Sequence, residues 1–337
     1  MLCILYVNLV GTCLGLFGLL TERVLPTTWP RRWMWCAIIA ISIFLPGYYR
    51  FHHTWSVIAA LDPPAAAPAS HAMGTPSLSV LDADWWAHTR SYDRDINRVW
   101  LTASAVLIVL GLANAWRVWR IVHHARRRRG AASRPTVVDG VPVVLTDSLG
   151  PATVGLWRTR VLVPRWVLAL PGVQRRYVLH HEDEHRSAHD AHLLLVASLT
   201  LLLMPWNLAL WWLQRRLRLA VEMDCDNRVV SALGNPVAYG ELLLKVAQAA
   251  SRGPRLQPAL LGGVGMLEHR LTVLLAPTPL RHVQRFLLPA MALGLLFVVL
   301  SMPHPVLGAR SKAPVGTPGA ATTHHSTQST EASVAHR

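Results

Sequence analysis

Cysteine is scarce: Cys3, Cys13, Cys36 and Cys225 are the only four in 337 residues, and no two form a Cys-x-x-Cys pair. Most of them lie inside apolar runs, so no disulfide framework is implied. Charge is scarce as well, at 15% of residues, against about a quarter in ordinary soluble domains. With 52% hydrophobic residues and a mean hydropathy of +0.31, a disordered or fibrous chain is excluded and an integral membrane protein is the first expectation. Acids are fewer than bases, 18 Asp+Glu against 33 Lys+Arg, which leaves +15 and an isoelectric point near 11.0. Such a balance suits nucleic acid or an anionic membrane face. No helix-turn-helix pattern accompanies the densest basic block, Arg126 to Arg129, so its first reading is topogenic and no direct nucleic-acid contact is expected.

What is present in quantity is apolar sequence. Runs without Asp, Glu, Lys or Arg extend from Met1 to Leu20, Trp33 to Tyr49, Val99 to Trp116 and Phe286 to Ala309, each near the length of a bilayer span. The first lacks a basic n-region and a clear cleavage site, so it is expected to stay as a helix. Arg23, Arg31 and Arg32 mark the first short loop as cytoplasmic, as the Arg126 block marks the region after the third run. The loop between Arg50 and Arg98 holds five aspartates against four arginines, with Pro63, Pro64 and Pro68, and suits the outer side. A fifth apolar stretch, Leu193 to Leu213, is interrupted at Pro205, where proline breaks a helix. Export of the ten basic residues between Arg215 and Arg285 is disfavoured, so a helical hairpin at or beside the bilayer is expected there.

Between Gly130 and Arg285 the pattern is that of a soluble domain. Two β-branched runs flank Asp139-Gly140, a hairpin signal. A second strand pair is expected from Ala152 to Val154 and from Arg160 to Val163, with Gly155 at the turn and Pro164 at the end. From there the pattern is helical. After Val306 the chain is rich in Gly, Ser, Thr, Ala and His and is expected to be disordered.

Chemistry concentrates at His181-Glu182-Asp183-Glu184-His185. A spacing of four stacks the two imidazoles on one helix face, the geometry zinc needs. A carboxylate beside them can take a proton from water that the metal has acidified and pass it to a leaving amine. A third ligand is still required. Glu222 and Asp226 share one helix face beyond the hairpin. Twenty residues separate His185 from Pro205 and seventeen separate Pro205 from Glu222. These are about 30 Å and about 25 Å of helix, so an antiparallel return brings Glu222 level with the histidines. Asp226, one turn on, is placed to accept the far N–H of an imidazole. The pair His185 and His189 has the same spacing but leaves Glu182 without a role, and Cys225 reads first as a small buried residue. Tyr239 and several arginines are candidates for an oxyanion donor.

The order Pro151-x-x-x-Gly155, Val163-Pro164, His181-Glu-x-x-His185 with Asp190 five residues on, Pro205, Glu222 and Cys225-Asp226, then Leu267-Glu-His-Arg270-Leu, resembles the BlaR/MecR antirepressor family of membrane zinc peptidases. The resemblance implies that His181, His185 and Glu222 are zinc ligands, Glu182 is the catalytic base, and Asp190 and Asp226 are supporting carboxylates. It also implies a cytoplasmic gluzincin core that cuts a transcriptional repressor, itself, or both. Two departures stand out. Asp183 and Glu184 are acids where the stricter pattern prefers uncharged residues, which threatens the metal's charge balance. No Ser-x-x-Lys and no Lys-Thr-Gly occurs, so a penicillin-binding sensor domain is not expected in this chain.

The expectation is therefore an α+β membrane protein of about four transmembrane helices with a mainly helical zincin domain, a small β-sheet and a helical hairpin. Its parts are two transmembrane helices in 1–49, an extracytoplasmic loop 50–98, a third helix 99–119, a cytoplasmic zinc metallopeptidase domain 130–285, a last helix 286–305 and a disordered tail 306–337. The expected cofactor is Zn2+, the partners are a protein substrate and membrane lipid, and the place is a bacterial inner membrane. The rival is a proteolytically inactive transducer that keeps the zincin fold.

Overall fold

Apolar runs become helices and the β-branched runs become one small mixed sheet. A computed structural model describes residues 2–26, 29–59, 93–127, 136–146, 150–155, 159–251, 264–275 and 282–301. Contacts divide the chain into Met1–Pro305, which contains all of these, and Val306–Arg337, the tail, which lies outside them. Residues 60–92 of the acidic loop, with Trp85 and Trp86, and Arg128 and Arg129 of the basic block also lie outside the described residues. The order is α1 (Leu2–Val24), α2 (Arg31–Ala59), α3 (Asp93–Arg127), β1 (Thr136–Val138), β2 (Val141–Thr146), β3 (Ala152–Val154) and β4 (Arg160–Pro164). It continues with α4 (Arg165–Leu168), α5 (Gly172–Ser187), α6 (Asp190–Leu203), α7 (Leu208–Leu233), α8 (Pro236–Ser251), α9 (Val264–Leu275) and α10 (His282–Ser301).

The sheet has the order β1-β2-β4-β3. Asp139 and Gly140 close the first hairpin with φ of 47° and 85°, the doubly positive turn that an Asp-Gly pair favours. The second expected pair, β3 with β4, is antiparallel around Gly155. Between the hairpins β2 and β4 run parallel, which no local pattern announced. Val161, Leu162 and Val163 of β4 are fully buried.

Two apolar cores lie along one long helix. Residues Leu210, Leu213 and Leu217 of α7 join Val10 and Leu14 of α1, Trp35 and Ile38 of α2, and Ala197 and Leu201 of α6. One end further on, Cys225 and Val229 of α7 join Val143, Val161 and Val163 of the sheet, Tyr177 to Leu179 of α5, and Tyr239 and Leu242 of α8. Helix α7 has 26 residues. At 1.5 Å per residue that is about 39 Å, long enough to tie the two cores into one frame. The break at Pro205 is as expected. The arm before it is not one straight helix, however: His189 takes a left-handed conformation at φ 56°, and the chain turns there between α5 and α6.

Several polar groups at the α6–α7 turn find partners within the protein. Trp100 Nε1 and Ser104 Oγ of α3 donate to the carbonyls of Leu203 and Leu202, which a helix C-terminus otherwise leaves without partners. The Asn207 side chain caps α7 by accepting from Leu210 N–H, and Trp211 Nε1 donates to the Pro205 carbonyl. Among the described residues two helices are long and apolar enough to cross a membrane, Ile4–Val24 and Asn97–Arg120, while Asp190–Leu203 and Phe286–Val299 are shorter apolar helices. None of Asn97–Arg120 is buried, and Val99, Leu101, Val109 and Leu112 are all more than 60% exposed.

Gly11 and Gly15, four apart on α1, let α7 approach closely. A Cβ on Gly15 would overlap the indole ring of Trp212, and one on Gly11 would stand 2.9 Å from Ala209 Cβ. Small residues at this spacing are how apolar helices pack where no water drives them together. Gly15→Leu is expected to cost about 1–3 kcal/mol by overpacking, read as a lower melting temperature of the detergent-solubilised protein. Gly111→Leu, where a Cβ meets nothing within 4 Å, should melt as wild type.

Candidate metal centre

Helix α5 starts after Pro171 and sets Tyr177, Val178 and Leu179 into the second core. The hydroxyl of Tyr177 donates to the Gly234 carbonyl at 2.7 Å, and Arg175 pairs with Asp139 of the hairpin at 2.8 Å, so the first turns of the helix are moored. Its next turns carry the histidines. His181 Nε2 and His185 Nε2 lie 3.2 Å apart. The Glu222 carboxylate, arriving on α7, places Oε2 at 3.7 Å from the first and Oε1 at 3.8 Å from the second.

The outer nitrogens face fixed acceptors. His185 Nδ1 is 2.8 Å from Asp190 Oδ2. An ionised carboxylate only accepts, so that nitrogen carries the proton. For His181 the partner is indirect. Asp226 Oδ1 is 3.7 Å from Nδ1, which is beyond hydrogen-bond reach. The Tyr239 hydroxyl bridges the gap, 2.9 Å from Nδ1 and donating to Asp226 at 2.7 Å. Tyr239 is therefore spent behind the ring and buried, and it is not an oxyanion donor. Arg270 on α9 completes the arrangement: Nε and Nη2 donate to both Asp226 oxygens at 2.8 and 2.7 Å, and Nη1 reaches Glu222 Oε2 at 2.9 Å.

This donor set fits a zinc ion. Both Nδ1 atoms are committed outward, so both Nε2 lone pairs converge on one point with a carboxylate beside them. Ligands at about 2.0–2.1 Å in tetrahedral array stand about 3.3 Å apart, close to the spacings found here. Burial disfavours charge on His181, yet Cys225 and Glu222 outweigh it and lift the pKa to about 10, nearby negative charge winning over desolvation. His185 is also raised, against burial, by Asp190, Cys225 and Glu222. Burial opposes ionisation of Glu222 too, but Arg270 and the two histidines hold its carboxyl well below the usual range. The point between the nitrogens thus seeks a cation. Cys225 is a second candidate, since its Sγ lies within 4.8 Å of a nitrogen of each histidine. That sulfur approaches His181 from the Nδ1 side, at 3.3 Å, where Tyr239 already sits. Glu222 faces Nε2 of both rings and is the other candidate for a third ligand.

A family model described as BlaR1 peptidase M56 matches residues 4–274. The chain belongs to that family. No curated protein matches it in a sequence search. Membership makes the chain a peptidase and implies a metallopeptidase, and the matched span runs from α1 to α9, through every residue just named.

Glu182 is buried on the side of α5 that faces the sheet. The Thr153 hydroxyl donates to its carbonyl at 2.7 Å and lies 3.0 Å from Oε2, so edge strand β3 sits against the acid. The departures from the stricter motif are neutralised: Asp183 pairs with Arg186 at 2.6 Å and Glu184 with Arg228 at 2.6 Å. His189 turns its Nδ1 to the Ser187 carbonyl at 2.9 Å at the helix break, so it does not share a face with His185. Arg270 stands in the downstream pattern and Tyr239 among the candidates, but neither the pairing of Arg270 with both acids nor the bridging place of Tyr239 is apparent from sequence. Two carboxylates four apart on an otherwise buried helix face, Glu222 and Asp226, are the clue that a cation must come from elsewhere.

Proposed function

We propose that the chain is an integral-membrane zinc endopeptidase that cleaves a regulatory protein, a transcriptional repressor or itself, from the cytoplasmic side of a bacterial inner membrane. The observation that carries this is the convergence of His181 Nε2, His185 Nε2 and Glu222 from two helices, with Glu182 next to His181 in the chain and held against β3. Bound there, zinc supplies a Lewis acid that polarises a scissile carbonyl and acidifies water. Glu182 accepts the proton of the attacking water and hands it to the leaving amine. Thr153 holds the acid against β3, which is an edge strand among the described residues and suits an extended substrate. Asp190, and Asp226 through Tyr239, keep each imidazole in the tautomer that leaves Nε2 free. Thr153→Val keeps the pairing of β3 but deletes the hydroxyl that contacts Glu182 twice. Hydrolysis should fall by about tenfold with zinc retained, comparable to other losses of an outer partner.

Four spans, within α1, α2, α3 and α10, follow from the apolar runs and the arginine distribution, and they put 130–285 in the cytoplasm and 50–98 outside. The exposed apolar surface of α3 and the bonded carbonyls of Leu202 and Leu203 at the end of α6 support this, since lipid leaves no partner for a free backbone group. The pairing of Asp183 and Glu184 with arginines removes the electrostatic argument for an inactive transducer.

The test is metal content of the detergent-purified protein. One zinc per chain is expected in wild type and in Cys225→Ala, and none in His181→Ala or Glu222→Ala. Zinc lost in Cys225→Ala but kept in Glu222→Ala would replace the third ligand; no zinc in folded wild type would end the reading.

A further inference from the structure

The N-terminus of α2 reaches the metal centre. The backbone N–H groups of Arg31 and Arg32, which open α2, donate to Asp224 Oδ1 and Oδ2 at 3.1 and 3.0 Å, so a carboxylate of α7 caps the N-terminus of α2. That cap sets the Arg32 side chain on the junction of α5 and α6, and Arg32 Nη1 donates to Asp190 Oδ1 at 2.8 Å. The other oxygen of Asp190 holds His185 Nδ1, also at 2.8 Å. The Asp190 side chain is 3% exposed and that of Arg32 is 15% exposed, so water does not share these contacts appreciably. Among the described residues another cation, Arg228, lies 4.0 Å from Asp190 Oδ2 and spends its 2.6 Å contact on Glu184.

We propose that Arg32 is a positioning residue of the metal centre, fixing through Asp190 the orientation of His185, so that the N-terminus of α2 sets metal affinity. A carboxylate held at one oxygen alone swings about its Cβ–Cγ bond and carries its hydrogen-bonded imidazole with it. Held at both oxygens it defines the plane of the ring and the direction of the Nε2 lone pair. Removing Arg32 also leaves a buried acceptor without a partner, which favours rotation of Asp190 away from His185. The inference rests on His185 being a metal ligand.

The experiment is competition between a chromophoric chelator and the full-length protein in nanodiscs for Zn2+, beside the visible absorption of the Co2+-loaded protein. Arg32→Ala is expected to weaken zinc binding by about tenfold, the lower end of what loss of an outer partner costs, and to shift the Co2+ bands. Arg32→Lys, which keeps one donor, should lie closer to wild type than Arg32→Ala does. Glu22→Gln breaks the Glu22–Arg216 bridge between α1 and α7 without touching Asp190 and should bind zinc as wild type does. In an Asp190→Ala background the effect of Arg32→Ala should vanish, because the side chain through which it acts is gone. Unchanged affinity in Arg32→Ala, or an equal loss in the Asp190→Ala background, overturns the proposal while leaving the zinc site standing. A wild type that holds no zinc overturns both.

Discussion

Replacing Glu182 by alanine is expected to leave one zinc per chain and to slow peptide hydrolysis by about a hundredfold to ten-thousandfold, the range a general base contributes. Separation of binding from turnover follows from the geometry. Glu182 lies one residue from His181, about a hundred degrees around α5. Its carboxylate is held by Thr153 on the sheet side while both Nε2 atoms face Glu222. The side chain is therefore outside the donor set, and its removal costs the centre no ligand. It is also the acid nearest the motif histidines that no cation pairs among the described residues, since Asp183, Glu184, Glu222 and Asp226 each contact an arginine and Asp190 contacts Arg32. An acid tied to arginine makes a poor base, and that selects Glu182. Hydrolysis of a mixed peptide library in nanodiscs, read by mass spectrometry with zinc measured on the same samples, tests this and needs no identified substrate. Wild-type turnover in Glu182→Ala would remove the residue from the mechanism.

The centre was legible where its determinants are local. His181 and His185 share a face because they are four apart on a helix, and Asp139-Gly140 turns because few other pairs tolerate two positive φ values. Glu222 was legible because Pro205 makes the return path countable, and it arrives although the first arm bends at His189, since α5 still packs on α7 through Leu179, Cys225 and Val229. Contacts set by tertiary packing were not legible. Tyr239 slips between His181 and Asp226 because α8 folds back after Gly234, and Arg32 meets Asp190 across 158 positions of sequence because α7 caps α2. The parallel pairing of β2 with β4 is of the same kind: each strand reads correctly by itself, and the register that joins them is decided by the helices they bury.

Arg270→Met is expected to destabilise the metal-free protein by about 3–5 kcal/mol, the cost of stripping one partner from a buried ion pair. Arg270 serves two acids at once, with three contacts of 2.7 to 2.9 Å, and its side chain is 12% exposed while that of Asp226 is 4% exposed. Burial works against its charge, but Glu222 and Asp226 outweigh that and raise its pKa, so it stays a cation at any pH the fold survives. Without it Glu222 and Asp226, four apart on α7, lose the one guanidinium that serves both, and the histidines at 3.7–3.8 Å with the Tyr239 hydroxyl are left to offset two buried carboxylates. Zinc between the histidines restores positive charge beside Glu222, so the deficit should be larger in EDTA than in zinc-loaded protein, in the sense mass action requires of a ligand that binds only the folded state. Melting temperatures of the solubilised protein in both conditions read the difference directly. The double variant Arg270→Met/Asp226→Asn should melt above Arg270→Met alone, because it removes the orphaned charge as well as its partner. Equal melting of Arg270→Met and wild type in EDTA would show that the guanidinium bridges Glu222 and Asp226 without stabilising the fold, and the acids would then need another source of charge balance.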